Sequence, residues 1–270
     1  LECLYPGFFG MFSFSNYDLL TACQKNYNDW LYDYCAASNG RLYGLAAIPM
    51  QKPQAALVEL ERVIKRGFVG GCIPCTSPVD YPYNHEIYEP IWALAEESNF
   101  PLSMHVGTNS YLPPEYRNRQ AIRDGVADYS VSPTTIQRTL VELICRGVAE
   151  KHPKLQFVVA EFNGGWIAHW LDRLDQGLSR EWRFREESAV KTRPHEIWAR
   201  QFFATIEDDR PALLTRNLIG TDNLMWGSDY PHSDSTFPCS IEVLDELFVD
   251  ISNEEREKIT RDNCKRLYGI

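Results

Sequence analysis

The sequence predicts an α/β protein with parallel strands: a (β/α)8 TIM-barrel-like fold with the first strand missing from this chain. Three observations lead there. Short apolar runs alternate with segments whose apolar residues step by three and four, the patterns of buried strands and amphipathic helices. The connections are mostly short, which makes successive strands parallel with right-handed crossovers. Seven strands can be counted against the eight of a closed barrel, and the chain opens at Leu1-Glu2-Cys3, without Met, already inside a strand. Residues 1–270 are therefore expected to form one N-terminally incomplete barrel domain. An open doubly wound sheet is the competing arrangement, but no Gly-rich phosphate fingerprint follows any strand.

Leu1 to Pro6 is a short apolar run stopped by Pro-Gly, hence a strand. An aromatic loop follows from Gly7 to Tyr17, and Asp18 is the expected N-cap of a helix reaching Ser38. Leu19, Leu20, Cys23, Tyr27, Trp30, Leu31 and Tyr34 would give that helix one buried face. A strand over 42–48 ends at Pro49, and a helix over 53–65 opens on Pro and closes at Gly67. The unit then repeats. Strands are expected at 68–73, 101–106, 155–162, 202–206 and 224–227, and helices over 84–98, 132–150, 164–179, 210–218 and 241–248, with a closing amphipathic helix over 254–268.

A formal charge of −10 argues against a nucleic-acid partner, which needs a basic face, and against an anionic membrane surface. No apolar run reaches ~18 residues, so nothing is expected to span a bilayer. The aromatic opening lacks the basic leader of a secretory signal. Eight scattered Cys suit a reducing, cytoplasmic compartment. Cys72-x-x-Cys75 has no second pair of ligands nearby for zinc, and it straddles Pro74 at a strand end where a redox pair would open a helix.

Three strands end in a side chain able to bind metal or move protons. With the missing strand counted as first, the fifth carries His105, the sixth Glu161 and the eighth Asp229. Each alone is explained as a hydrogen-bonded residue at a sheet edge or as a helix cap. Together they lie on the barrel face where ligands and catalytic groups gather. A His nitrogen, carboxylates and a water suit a divalent metal, zinc first and manganese second, and the metal would acidify its water toward a pKa of ~7. Asp229 could instead stay off the metal and act as the base.

The stretches His105-Val106-Gly107, Trp226-Gly227-Ser228-Asp229-Tyr230-Pro231-His232 and Asn263-Cys264-Lys265-Arg266-Leu267-Tyr268-Gly269 resemble the amidohydrolase-related branch of the amidohydrolase superfamily. That branch includes aminocarboxymuconate-semialdehyde decarboxylase and related aromatic-acid decarboxylases. The likeness runs through nearly the whole chain in order. It implies that His105 is the fifth-strand metal ligand and Asp229 the eighth-strand metal-binding or catalytic Asp. The family's first strand supplies a His-x-His pair, and no such pair occurs among the six His here. At the sixth strand many relatives place a His where this chain has Glu161, as ligand, proton carrier or structural ion pair.

Further candidates surround these. His232 could orient substrate or water, or be a plain loop residue. Asn163-Gly164-Gly165 opens a helix whose free N–H groups could bind a substrate carboxylate, or forms a tight turn. The loop from Thr108 to Val131 holds Tyr111, Tyr116, Arg117, Arg119, Arg123 and Tyr129, suited to a lid with an Arg clamp or to a solvated surface. Phe8, Phe9, Phe12 and Phe14 could contact a partner chain in a homodimer or line the pocket. His85, His152, His169 and His195 read as surface residues. The resulting expectation is a metal-dependent enzyme that decarboxylates or hydrolyses a small carboxylated substrate, aromatic or otherwise. The alternative is a catalytically inactive barrel serving as a binding or assembly subunit.

Overall fold

A computed structural model describes residues 1–111, 125–180 and 190–270. Seven parallel strands pair strictly in chain order: β1 (Glu2–Leu4), β2 (Leu42–Ala47), β3 (Gly70–Ile73), β4 (Leu102–His105), β5 (Phe157–Ala160), β6 (Phe202–Ile206) and β7 (Leu224–Trp226). This is the winding of a barrel, and all seven expected strands are present. Among the described residues no strand joins β1 to β7.

The strands are buried on both faces, as parallel strands between helices must be. In β5, Phe157 and Val159 point out to the helices, while Val158 and Ala160 point in to Leu45, Phe203 and Met225. The interior cluster includes Cys3 of β1 and Met225 of β7, so the sheet curls until its two edges share one core. The C-terminal helices complete that core. Leu267 and Tyr268 of α12 (Asn263–Tyr268) enter it, and Ser103 Oγ lies 3.4 Å from the Tyr268 hydroxyl and accepts from Tyr5 at 3.3 Å. Gly70 makes room: a Cβ there would meet the Tyr268 ring and the Pro101 carbonyl, both at 3.0 Å. Cys264 Sγ lies 3.8 Å from Cys3 Sγ, bringing α12 against β1.

The outer layer comprises α1 (Tyr17–Ala36), α2 (Pro53–Arg66), α3 (Glu89–Glu97), α4 (Gly125–Cys145), α5 (Val148–Lys151), α6 (Ile167–Ser179), α7 (Pro194–Gln201), α8 (Arg210–Leu214), α9 (Arg216–Ile219), α10 (Ser240–Leu247) and α11 (Asn253–Glu257). A π-helical turn over Lys258–Asp262 joins α11 to α12. No helix among the described residues is long and apolar enough to cross a membrane.

Several expectations need correction. Asn16, not Asp18, caps α1: its side chain accepts from the N–H groups of Asp18 and Leu19. The buried face of α1 is Leu20, Gln24, Asn28 and Leu31, whereas Leu19, Trp30 and Tyr34 are exposed. Apolar spacing misled there because the inward positions include two amides that bond to the backbone. The helix expected from 132 begins at Gly125 and carries Pro133 inside it. The one expected from 164 begins at Ile167, and the stretch 210–218 breaks into α8 and α9. His152 is buried, with its ring nitrogens 3.2 Å from Glu96 and 2.8 Å from Glu89, tying the residue after α5 to α3. Cys72 and Cys75 are buried thiols whose pKa values burial pushes up, as expected of packing residues.

Asn28 fixes the carboxyl end of β2. Its amide donates to the Ala47 carbonyl at 2.9 Å and to Glu59 Oε1 at 2.7 Å, and its Oδ1 accepts from the Ala47 N–H at 2.8 Å. Asn28→Ala strands these buried groups and should lower unfolding free energy by about 3 kcal/mol. Denaturant titration checks this, and a loss below about 1 kcal/mol would mean that water replaces the amide.

Candidate active site

The carboxyl ends of β4, β5 and β7 bring four titratable side chains together. His105 closes β4, Glu161 follows β5 directly, and Asp229 and His232 lie just beyond β7. Glu161 and Asp229 both take left-handed backbone conformations, φ +63° and +56°, as does Asn163 at +54°. Such conformations cost a non-glycine residue on the order of 1 kcal/mol or more and persist where surrounding contacts impose them.

Those contacts are identifiable. The Glu161 N–H donates to Thr205 Oγ1 on β6 at 2.7 Å. Asn163 Oδ1 accepts from the Glu207 N–H at 3.3 Å, linking the β5 and β6 exits. Asp209 accepts from the N–H groups of Gly164 at 2.5 Å and Gly165 at 2.8 Å, and caps α8 through Ala212 at 3.0 Å. The two glycine N–H groups expected to receive a substrate carboxylate are thus taken by Asp209. Gly165 is required, because a Cβ there would lie 2.6 Å from Pro211.

His105 Nδ1 lies 2.8 Å from the Val106 carbonyl, so that nitrogen carries the hydrogen and Nε2 faces the site. Nε2 is 2.5 Å from Glu161 Oε2, a short hydrogen-bonding separation. Glu161 Oε1 lies 3.4 Å from His232 Nδ1, which in turn lies 2.8 Å from Asp229 Oδ1. Glu161, Asp229 and His232 each offer a ligand atom within 4.8 Å of the others, and His105 reaches this group at Glu161.

The electrostatics follow from this crowding. Burial and the neighbouring Glu161 carboxylate push Asp229 up to about 7, against the opposing bond to His232. Burial would raise Glu161 too, but hydrogen bonding to His105 and Asp229 outweighs it and holds Glu161 below its ordinary value. Burial pulls His232 down, yet its contacts with Asp229 and Glu161 hold it above its usual range. Asp229 Oδ2 is buried without a hydrogen-bond partner. An imidazole nitrogen aimed inward, two carboxylates with oxygens within 4.8 Å and an orphaned oxygen fit a divalent cation.

A third carboxyl, not expected from the sequence, belongs to the same mouth. Glu207 follows Ile206 at the end of β6, and burial with Asp229, Asp208, Asp234 and Glu161 nearby pushes it up to about 8. Tyr129 of α4 faces the same acids: burial, Asp208, Asp234, Glu207 and Asp229 raise its phenol. Phe9 and Tyr5 flank the His105 ring, each with its centroid 4.7 Å away. Of the other aromatics near the start, Phe12 is buried and Phe8 is exposed. Arg117, Arg119, Arg123 and Tyr116 lie outside the described residues.

A family model described as Amidohydrolase matches residues 10–270. The gamma-resorcylate decarboxylase of Rhizobium sp. (strain MTP-10005) is 27% identical over 260 residues, covering 90% of this chain and 75% of that protein. Among solved structures, 5-carboxyvanillate decarboxylase from Sphingomonas paucimobilis superposes with a TM-score of 0.81 at 22% identity, covering 100% of this chain and 78% of the other. A dihydroxybenzoic acid decarboxylase from Polaromonas sp. JS666, with bound manganese and the inhibitor 2-nitroresorcinol, gives a TM-score of 0.77 at 21% identity, covering 96% and 78%.

Glu207 provides a pH test. Its folded-state value near 8 lies above that of an unfolded carboxyl, about 4.3, so the folded chain holds the proton more tightly and stability falls as pH rises between the two. In chelator-treated protein, Glu207→Gln should flatten the decline in Tm between about pH 5 and pH 9. Melting curves that shift in parallel for both proteins would contradict the assignment.

Proposed function

The chain belongs to the amidohydrolase family, and on that premise we propose that it is a divalent-metal-dependent decarboxylase of a small aromatic carboxylate. The observation that carries the reading is the compressed pair Glu161 and Asp229, beside His105 and His232, at the carboxyl ends of the strands. It lies in a chain whose curated relatives, matched over 90% of its length, are gamma-resorcylate decarboxylases. His105 Nε2, Glu161 and Asp229 would hold the cation. Bound there, it supplies positive charge to the oxygen substituents of the substrate and offsets the negative charge that collects on them. Manganese, the ion in the similar Polaromonas structure, suits a donor set richer in carboxylate oxygen than nitrogen, and zinc accepts the same set.

The remaining chemistry falls to the chain's own groups. Decarboxylation of an aromatic acid adds a proton to the ring carbon that bears the carboxylate. The carbon–carbon bond then breaks, its electron pair returns to the ring, and CO2 leaves. His232, half exposed and held above its ordinary value despite its burial, brings a proton to the site at neutral pH, with Asp229 Oδ1 orienting its Nδ1. Tyr5 and Phe9 pack against the His105 ring and restrict its movement. Asn163 and Asp209 hold the β5 and β6 exits in place, and the Asn163 amide nitrogen is left to meet substrate.

A hydrolase of this family would use the same groups, so the product decides. Incubated with Mn2+ and 2,6-dihydroxybenzoate or 5-carboxyvanillate, the chain should release CO2. A chelator should abolish that release, and Asp229→Asn should slow it about a hundredfold or more. Turnover confined to amides, esters or lactones would replace this reading with hydrolysis, and no turnover on either class would favour a barrel that only binds.

A further inference from the structure

We infer that Phe9 is the wall against which the substrate's ring lies, and that it makes the site selective for planar aromatic carboxylates over alicyclic ones. The inference rests on the cation reading above and deepens it. Phe9 opens a 3-10 turn over Phe9–Phe12, just after β1. Its ring lies 4.7 Å from the His105 ring at an interplanar angle of 31°, and 6.3 Å from His232, edge-on at 66°. His105 contacts Glu161, and His232 contacts both Glu161 and Asp229, so this one aromatic ring lies against two of the four side chains of the cluster. Gly107, at φ +79°, is the seat for that ring: a Cβ there would lie 3.0 Å from Phe9 Cδ2.

The neighbouring aromatics are committed elsewhere. Tyr5 is packed into the barrel with its hydroxyl on Ser103. Phe12 is fully buried beside Met11, Ala47 and Cys72. Phe8 packs against Phe14, 6.4 Å away, and is otherwise exposed. Phe9 is only half-buried, so part of its ring stays open next to the two imidazoles it contacts. A carboxylate or phenolic oxygen held by the cation that Glu161 and Asp229 would bind brings its own ring within stacking range of Phe9, where offset or edge-on contact is favourable at centroid distances of about 4.5–7 Å.

The test titrates Mn2+, then salicylate or cis-2-hydroxycyclohexanecarboxylate, into the wild-type chain, Phe9→Leu and Phe9→Tyr by calorimetry. Both acids carry the same oxygens and differ in the ring. All three proteins should bind about one Mn2+. Salicylate should bind about tenfold more weakly to Phe9→Leu and recover in Phe9→Tyr, while the alicyclic acid binds all three alike. Equal weakening of both acids, unchanged salicylate binding, or loss of Mn2+ in Phe9→Leu alone would overturn the inference and leave Phe9 as a support for His105. Failure of the wild-type chain to bind Mn2+ would overturn the cation reading, and this inference with it.

Discussion

Glu161 and Asp229 are two carboxylates whose oxygens come within 4.8 Å of each other at the mouth of the barrel, and burial together with that neighbour pushes Asp229 up to about 7. Like charges do not approach this way unless the fold compels them and a proton or cation lies between. Both residues leave their strands with left-handed backbones, which turn the side chains over the barrel mouth. Thr205, Asn163 and Asp209 spend their hydrogen-bonding capacity holding that turn in place. Below it, the curled sheet is filled by Tyr5, Ser103 and Tyr268, so the C-terminal helix braces the floor under His105.

The same compression accounts for the wider electrostatics. Asp208 and Asp234 add negative charge around the pair, enough with burial to keep a proton on Glu207, in a chain with a formal charge of −10. An anionic substrate would be repelled from such a mouth unless a cation preceded it. Acid groups and imidazoles at the centre and an aromatic ring at the wall form a coherent arrangement: polar atoms to hold oxygens, and Phe9 to shape the apolar boundary.

Much of this was legible in the sequence, for reasons that are local. The apolar runs ending at His105, Glu161 and Asp229 placed all three at strand ends, because parallel strands are buried on both faces and their polar termini stand out. The same rule points to Glu207, directly after Ile206, but the run Glu207-Asp208-Asp209 reads as helix capping, which Asp209 indeed performs. Long-range bonds were not legible. Nothing in the sequence announces that Asp209 takes the N–H groups of Gly164 and Gly165, or that Asn28 reaches Ala47. Trp30 and Tyr34 follow helical spacing yet stay outside, since spacing identifies a stripe without saying which stripe meets the sheet.

The central claim is that the Glu161–Asp229 pair is a cation site that protons occupy when no metal is bound. Adding Mn2+ to chelator-treated chain at about pH 6.5, with an indicator dye reporting pH, tests it most directly. The account predicts on the order of one proton released per ion bound, and little release from Asp229→Asn. Binding without proton release, or equal release from the variant, would contradict it.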